Sequence, residues 1–362
     1  MSAKYRVAII GTGRMGGLME DGIPVGSFSK PYAHFPSYQA IEETEVVAVA
    51  NRGKERLQRF CERFGVTNTY LDYREMIEKE KPDIVSVTTA SAHRAAPIIF
   101  AAEHGVRGMY SEKGLCASLA EADRIRDALR AGSVAFNWGA MRRHHDGFRK
   151  LRAAITRGDI GEPQFAMMYC HTDIIKHHPH TIDLVGMMLG DPVPEWVEGR
   201  FAEPDESAAV PSKQFPEYAA ADNRYLPVPG EELADPMVGF FRVGYQGGAE
   251  GHFIPRAGHF DIDVHGTEGR AYAWDNGEVF CVRRAAGATV EETYLRCEGE
   301  SPTICTIRNI IAEMEGGERT AGNIDVTMQT VEAQFGVAHS HLQDGARVSL
   351  PIADRSLYIP GG

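Results

Sequence analysis

Three groups of residues have the types and spacing to do chemistry. The first is Gly11-Thr12-Gly13-Arg14-Met15-Gly16, a G-x-G-x-x-G turn directly behind the β-branched run Val7-Ala8-Ile9-Ile10. In a strand-turn-helix the first glycine allows the tight turn, the second lets the backbone approach a pyrophosphate, and the third packs helix on strand. The second group is Asn51, Arg52 and Arg56, where the next apolar run, Glu45 to Ala50, ends. An acid there would accept from ribose hydroxyls and repel a 2′-phosphate, whereas a neutral residue followed by arginine receives one, so the reading is NAD(P) with a lean to NADP. The third group is His171, Asp173, His177, His178 and His180. Two imidazoles and an acid can hold zinc, which would make the chain a metal-dependent hydrolase or lyase. The spacing is neither H-x-x-x-H on a helix nor a cysteine/histidine framework, so no metal is expected.

These residues need a scaffold. Stretches at Glu45–Ala50, Asp83–Thr89, Val106–Gly114 and Val134–Trp138 follow the opening strand and alternate with helical patterns. Leu57, Phe60, Cys61 and Phe64 fall on one helix face that Gly65 closes, and Asp72/Glu75 and Ser118/Glu121 are capping boxes. This alternation predicts a doubly wound parallel sheet, a Rossmann domain over residues 1–141. Asp21 to Tyr32 interrupts with turn-formers and reads as an insertion beside the cofactor turn. After Arg142 a helix with Phe148, Leu151 and Ile155 on one face is followed by successive short strands, so 142–362 is expected to be an α+β substrate-binding and oligomerisation domain with a largely antiparallel open sheet. The Pro- and acid-rich tract Glu203–Asp235 reads as a long loop, and Ile304–Met314 and Met328–Leu342 read as helices.

Composition narrows the classes. A chain of 362 residues suits two domains, and its net charge of -12 repels nucleic acid and anionic membrane alike. The six cysteines show no C-x-x-C pair, no apolar run approaches the ~18 residues that span a bilayer, and no signal peptide opens the chain. A cytoplasmic protein is expected.

Over nearly its whole length the chain resembles the Gfo/Idh/MocA family, the glucose-fructose oxidoreductase and inositol dehydrogenase relatives. The resemblance rests on the glycine triplet, the Thr-rich strand end at Thr88-Thr89, Glu112-Lys113, Arg143 with His145, Gly158-Asp159-Ile160-Gly161-Glu162-Pro163, His180-Thr181-Ile182-Asp183-Leu184 and Gly266-Thr267-Glu268-Gly269. It implies an NAD(P)-dependent dehydrogenase acting on the CH–OH groups of a sugar, polyol or sugar derivative, assembled as a homo-oligomer, dimer or tetramer. It implies further that Lys113 hydrogen-bonds the reacting hydroxyl while His180, near a helix N-terminus and supported by Asp183, takes the proton. Thr89 and Glu112 join the cofactor set, and Arg143, His145, Lys176, His177 and His93 the substrate set.

Three positions depart from the family pattern. Gly114 replaces the proline of Glu-Lys-Pro and loosens the turn after Lys113. Lys176 stands where an aspartate often precedes the histidine by four, adding a cation that suits an anionic substrate. Ala90-Ser91-Ala92-His93-Arg94 replaces the usual Pro-Asn segment, so His93 and Arg94 either reach the substrate or cap the helix. Such changes leave two other functions open: a redox-neutral glycosidase or lyase working through a 3-keto sugar on bound NAD, and a non-catalytic dinucleotide sensor.

Overall fold

The computed structural model describes residues 4–23, 29–202, 235–256 and 260–361. The expected 203–235 loop therefore lies outside the described residues except for Asp235, as does the centre of the 21–32 insertion. In chain order the helices are α1 (His34–Gln39), α2 (Lys54–Phe64), α3 (Tyr73–Glu80), α4 (Ala95–Glu103), α5 (Leu119–Ala131), α6 (Asp146–Thr156), α7 (His178–Leu189), α8 (Pro302–Met314) and α9 (Ile324–His341). The chain divides into two compact units. The first comprises 1–116, 120–145 and 298–327, and the second 117–119, 146–297 and 328–362.

The first unit is built on β1 (Tyr5–Ile10), β2 (Thr44–Ala50), β3 (Thr69–Tyr70), β4 (Ile84–Val87), β5 (Gly108–Ser111) and β6 (Ala135–Trp138), in the order β3-β2-β1-β4-β5-β6. Every pairing is parallel, the doubly wound arrangement expected of strands buried on both faces. Its core gathers Val7, Ile9, Phe35, Tyr38, Phe60 and Ile84 with Ile307 and Ile310 of α8. That helix returns from far along the chain to cover β5 and β6, a return that the expected division at residue 142 does not contain. Gly108 makes room for it, since a Cβ there would lie 2.5 Å from Met314 Sδ and 2.8 Å from Ile310 Cγ2.

The helix expected after the glycine turn is split. One helical turn forms at once, with the Gly17 N–H donating to Gly13 O at 3.2 Å and the Met19 N–H to Arg14 O at 2.7 Å. The chain then leaves through a 3₁₀ turn (Leu18–Gly22) and returns at α1, whose His34 and Phe35 N–H groups donate to Met15 O at 2.9 Å and Gly16 O at 3.0 Å. The carbonyls orphaned at the end of the first turn are thus satisfied by a second helix rather than by continuation of the first. Glu20 Oε2 secures the return by accepting from the Tyr32 and Ala33 N–H groups at 2.8 and 3.1 Å.

The second unit carries β7 (Pro163–Tyr169), β8 (Pro194–Phe201), β9 (Val238–Tyr245), β10 (Glu250–Ile254), β11 (Asp261–Gly266), β12 (Gly269–Trp274), β13 (Val279–Ala286), β14 (Thr289–Tyr294) and β15 (Val348–Ser349). Among the described residues they form one sheet ordered β14-β13-β12-β11-β7-β10-β9-β8-β15. Only β7 and β10 pair in parallel; the other neighbours are antiparallel, as the sequence pattern implied. Helix α6 packs on β12 and β13, and α7 on β7, β10 and β11. Strand alternation follows: Phe241, Phe253, Ile262 and Val264 are buried, while Phe240, next to Phe241 in sequence, is exposed. Among the described residues no helix is long and apolar enough to cross a membrane, and no disulfide joins any of the cysteines.

Candidate active site

In the first unit the glycine turn lies at the carboxyl end of β1, where ligands of open parallel sheets bind. Gly11 has φ +104°, and a Cβ there would meet Thr88 Oγ1 at 2.7 Å, so only glycine fits. At Gly16 a Cβ would sit 2.3 Å from Gly11 O, which closes the turn on itself. Gly13 is different: the nearest atom to its would-be Cβ is Arg56 Nη1 at 3.6 Å, so its backbone faces open space with one guanidinium beside it. Thr12 is fully buried, and its Oγ1 has no hydrogen-bond partner among the described residues. An orphaned hydroxyl next to an open glycine backbone and a cation is the donor set a pyrophosphate needs, and the residues present fit a dinucleotide. Asn51 holds the turn from β2, accepting from the Thr12 N–H at 3.4 Å and donating to Gly53 O at 3.0 Å. Arg56 and Arg52 thus have separate surroundings: Arg56 reaches over the glycine turn, while Arg52 is exposed and its charge, after burial, helps lower the pKa of His93.

Two strands away β5 ends at Ser111 and delivers Glu112, Lys113 and Gly114. Glu112 is 3% exposed, and its Oε2 accepts from the Lys113 N–H at 3.2 Å while Oε1 lies 3.2 Å from His34 Nε2. Burial pushes the Glu112 carboxyl up, but the His34 hydrogen bond and charge, with the charges of Lys113 and Arg94, outweigh it and hold the group below the usual carboxylate range. Gly139 leaves the room, since a Cβ there would stand 2.9 Å from both carboxylate oxygens. The His34 ring stacks on Tyr110 with centroids 4.0 Å apart, and its Nδ1 lies 2.7 Å from Ser86 Oγ, which is 3.1 Å from Tyr38 Oη. Burial keeps the Tyr38 phenol protonated. Ser86 at Nδ1 and Glu112 at Nε2 thus engage both ring nitrogens of His34, and Tyr38 Oη extends the chain at Ser86.

The turn after Lys113 has its own clamp. Arg94, 3% exposed at the start of α4, donates through Nη1 to Gly114 O and through Nη2 to Thr89 O. The two departures at Arg94 and Gly114 therefore meet: a guanidinium ties the loosened turn to the end of β4 where a proline ring would otherwise stiffen it. Thr89 Oγ1 also donates to His93 O at 3.2 Å, fixing the turn from β4 into α4.

In the second unit the histidines gather at the start of α7. His177 is its N-cap, Pro179 is in the first turn where its missing N–H costs nothing, and His180 follows. His180 is 9% exposed with its ring edge-on to Phe260, and Asp183, three residues along the same face, is 1% exposed. His177 Nδ1 lies 2.9 Å from Asp173 Oδ1. His178 turns into the core, 1% exposed, with Nδ1 at 2.8 Å from Thr181 Oγ1 and the ring edge-on to Phe241 and Phe253, and burial pushes its pKa down to about 3. Lys176 and His171 are half-buried. Among the described residues no group of three or more His, Cys, Asp or Glu is arranged to hold a metal ion.

Comparison with known proteins agrees with this layout. Residues 5–139 match the Gfo/Idh/MocA family model, described as an oxidoreductase family with an NAD-binding Rossmann fold. Residues 5–139 are thus similar to the Rossmann domain of the Gfo/Idh/MocA oxidoreductases. It is 27% identical over 158 residues to myo-inositol 2-dehydrogenase of Thermotoga maritima, a match that spans 44% of this chain and 42% of that protein. Across the full length the likeness is one of fold: an inositol dehydrogenase homolog from Azotobacter vinelandii, solved with NADH and myo-inositol, superposes with a TM-score of 0.71 at 19% identity, covering 96% of this chain and 98% of that one. An oxidoreductase domain protein from Kribbella flavida gives 0.75 at 15% identity over 97% and 100%.

Within this Gfo/Idh/MocA frame the remaining candidate residues divide by burial. Arg143 and His145, 5% exposed each, close the first unit after β6, beside His144, whose Nε2 lies 3.0 Å from Asn137 Nδ2. His93 is exposed. Sequence reading did not single out His34, Ser86 and Tyr38. One signal was present: Ser86 is a hydroxyl inside the otherwise aliphatic strand Ile84–Val87, and a buried hydroxyl demands a partner.

Proposed function

We propose that this chain is an NAD(P)-dependent dehydrogenase acting on a CH–OH group of a sugar, polyol or sugar derivative. The observation that carries the reading is the glycine turn of the family-matched domain, closed at Gly11 and Gly16 and open at Gly13. When bound there, the nicotinamide supplies C4 as the donor or acceptor of hydride. The backbone of Gly11–Gly16, with Thr12, Arg14 and Met15, holds the pyrophosphate. Asn51, Arg52 and Arg56 set the cofactor preference; the absence of an acid after β2 supports NADP. Lys113 donates to the substrate oxygen and stabilises its developing charge, and His180, kept neutral at its helix N-terminus and oriented by Asp183, takes or returns the proton.

Arg143, His145, His93, Lys176 and His177 are proposed to line the substrate site, with Lys176 selecting an anionic substituent. The sheet face turned away from α6 and α7, with exposed Phe240 and Trp274, supports homo-oligomer formation. The cysteines without disulfides support a reducing, cytoplasmic setting. The test is turnover of a panel of polyols, sugars and sugar acids followed at the reduced-nicotinamide absorbance. A substrate that reduces NAD(P)+ upholds the reading, whereas glycoside cleavage without absorbance change replaces it with redox-neutral chemistry, and cofactor binding with neither replaces it with the sensor.

A further inference from the structure

We propose that His34 is a positioning residue that ties the dinucleotide turn to the Glu112–Lys113 end of β5. The proposal rests on the reading of Lys113 as a proton-handling group. His34 is the first residue of α1, the helix that re-enters after the insertion, and it makes two attachments at once. Its backbone N–H donates to Met15 O at 2.9 Å, inside the glycine turn, and its imidazole reaches Glu112 Oε1 at 3.2 Å. A wholly buried imidazole is costly unless both nitrogens are engaged, and here both are, with Ser86 on one side and Glu112 on the other. The ring also stacks on Tyr110, and Tyr38 Oη lies 3.1 Å from the same Ser86 hydroxyl. Glu112 in turn holds the Lys113 N–H. The insertion is therefore the device that places a side chain across two strand ends, where an uninterrupted helix would carry its residues away from the turn.

Removing the imidazole leaves Glu112 buried against Gly139 without the hydrogen bond that offsets its desolvation. The other groups that face this carboxylate are Lys113 and Arg94, which favour its charge, and buried Tyr110 and half-buried Tyr32, whose phenols are pushed up by desolvation. Burial then prevails and the carboxyl titrates higher.

The test compares H34Q and H34L with wild type and, in parallel, K113A. Gln places an amide N–H near the position of Nε2, whereas Leu fills the space alone. Expected for H34L is a kcat lowered ~10- to 100-fold, as for a reacting group displaced by a fraction of an ångström to an ångström, with an acid limb moved to higher pH and NADH affinity changed less than kcat. H34Q should keep kcat within ~5-fold. The Tm gap between wild type and H34L should be largest at pH 7 and close as pH falls through the titration of Glu112, because the His34 contact stabilises only the ionised carboxylate. A gap independent of pH, or equal losses in H34Q and H34L, would overturn the proposal and leave His34 as packing. If K113A retains wild-type kcat, the lysine reading fails; if K113A is inactive while H34L matches wild type in kcat and pH profile, only the positioning role fails.

Discussion

The two segments proposed to bear the chemistry are held in place by opposite means. The end of β5 in the first unit is a strand terminus whose last ladder hydrogen bond runs from the Glu112 N–H to Val87 O at 2.9 Å, so the Glu112 side chain and the Lys113–Gly114 turn beyond it are fixed from outside, by His34 of α1, Arg94 at the start of α4 and the space over Gly139. The start of α7 in the second unit brings its own geometry: a proline in the first turn, His180 and Asp183 one turn apart, and phenyl rings against His178. Each involves a wholly buried histidine, His34 of α1 beside the first and His178 within the second. His34 sits in a hydrogen-bonded chain at both nitrogens, whereas His178 has Nε2 without a partner among the described residues and titrates near 3. A sheet edge acquires precision from remote side chains, and a helix terminus carries it in local sequence.

That difference can be broken by substitution. The largest effects should fall on the two proposed proton-handling groups: K113A and H180A are each expected to lower kcat by ~10²–10⁴-fold with NADH binding retained. Next come the supports of the sheet edge. R94A leaves the Gly114 and Thr89 carbonyls without their shared donor and should lower kcat by ~10-fold or more, as should G139A, whose methyl would press on the Glu112 oxygens. The corresponding support in α7 is less sensitive. P179A, which keeps helical backbone, should change kcat less than ~3-fold. Equal sensitivity of R94A and P179A would erase the contrast.

A smaller effect separates the two buried histidines by pH. The folded-state pKa of His178 is depressed from the ordinary 6.5 to about 3, so the unfolded chain binds the extra proton first as pH falls. Stability from this group is complete above pH 6.5 and is lost toward pH 3, at roughly 1.4 kcal/mol per pH unit at most. H178N, which keeps a donor toward Thr181 but does not titrate, should narrow the Tm difference between pH 7 and pH 5; an unchanged difference would remove His178 from the acid response.

Local signals carried much of the fold. β1, β2, β4, β5 and β6 are apolar runs closed by turn residues, Asp72 is the N-cap of α3 as expected, although its side chain accepts from the Arg74 N–H rather than from Glu75, and Gly65 ends α2 in the left-handed conformation. What escaped was non-local. β3 has only two residues, β14 is exposed along its whole length as an edge strand, and β8 and β13 acquire alternation only from their neighbours in the sheet. The joining of α1 onto Met15 and Gly16, and of α8 onto β5, depends on contacts that no periodicity encodes. The site divides the same way: the glycine turn and the first turn of α7 are readable from spacing, while the His34–Ser86–Tyr38 chain and the Arg94 clamp unite residues far apart in sequence.

The central claim is that the open backbone at Gly13 receives a dinucleotide, and it is tested most directly by titrating wild type and G13V with NADH and NADPH. A Cβ at Gly13 would meet only Arg56 within 4 Å beyond its chain neighbours, so G13V should fold with an unchanged Tm yet bind either cofactor at least ~100-fold more weakly. A folded G13V that binds as tightly as wild type, or a wild type that binds neither cofactor, would contradict it.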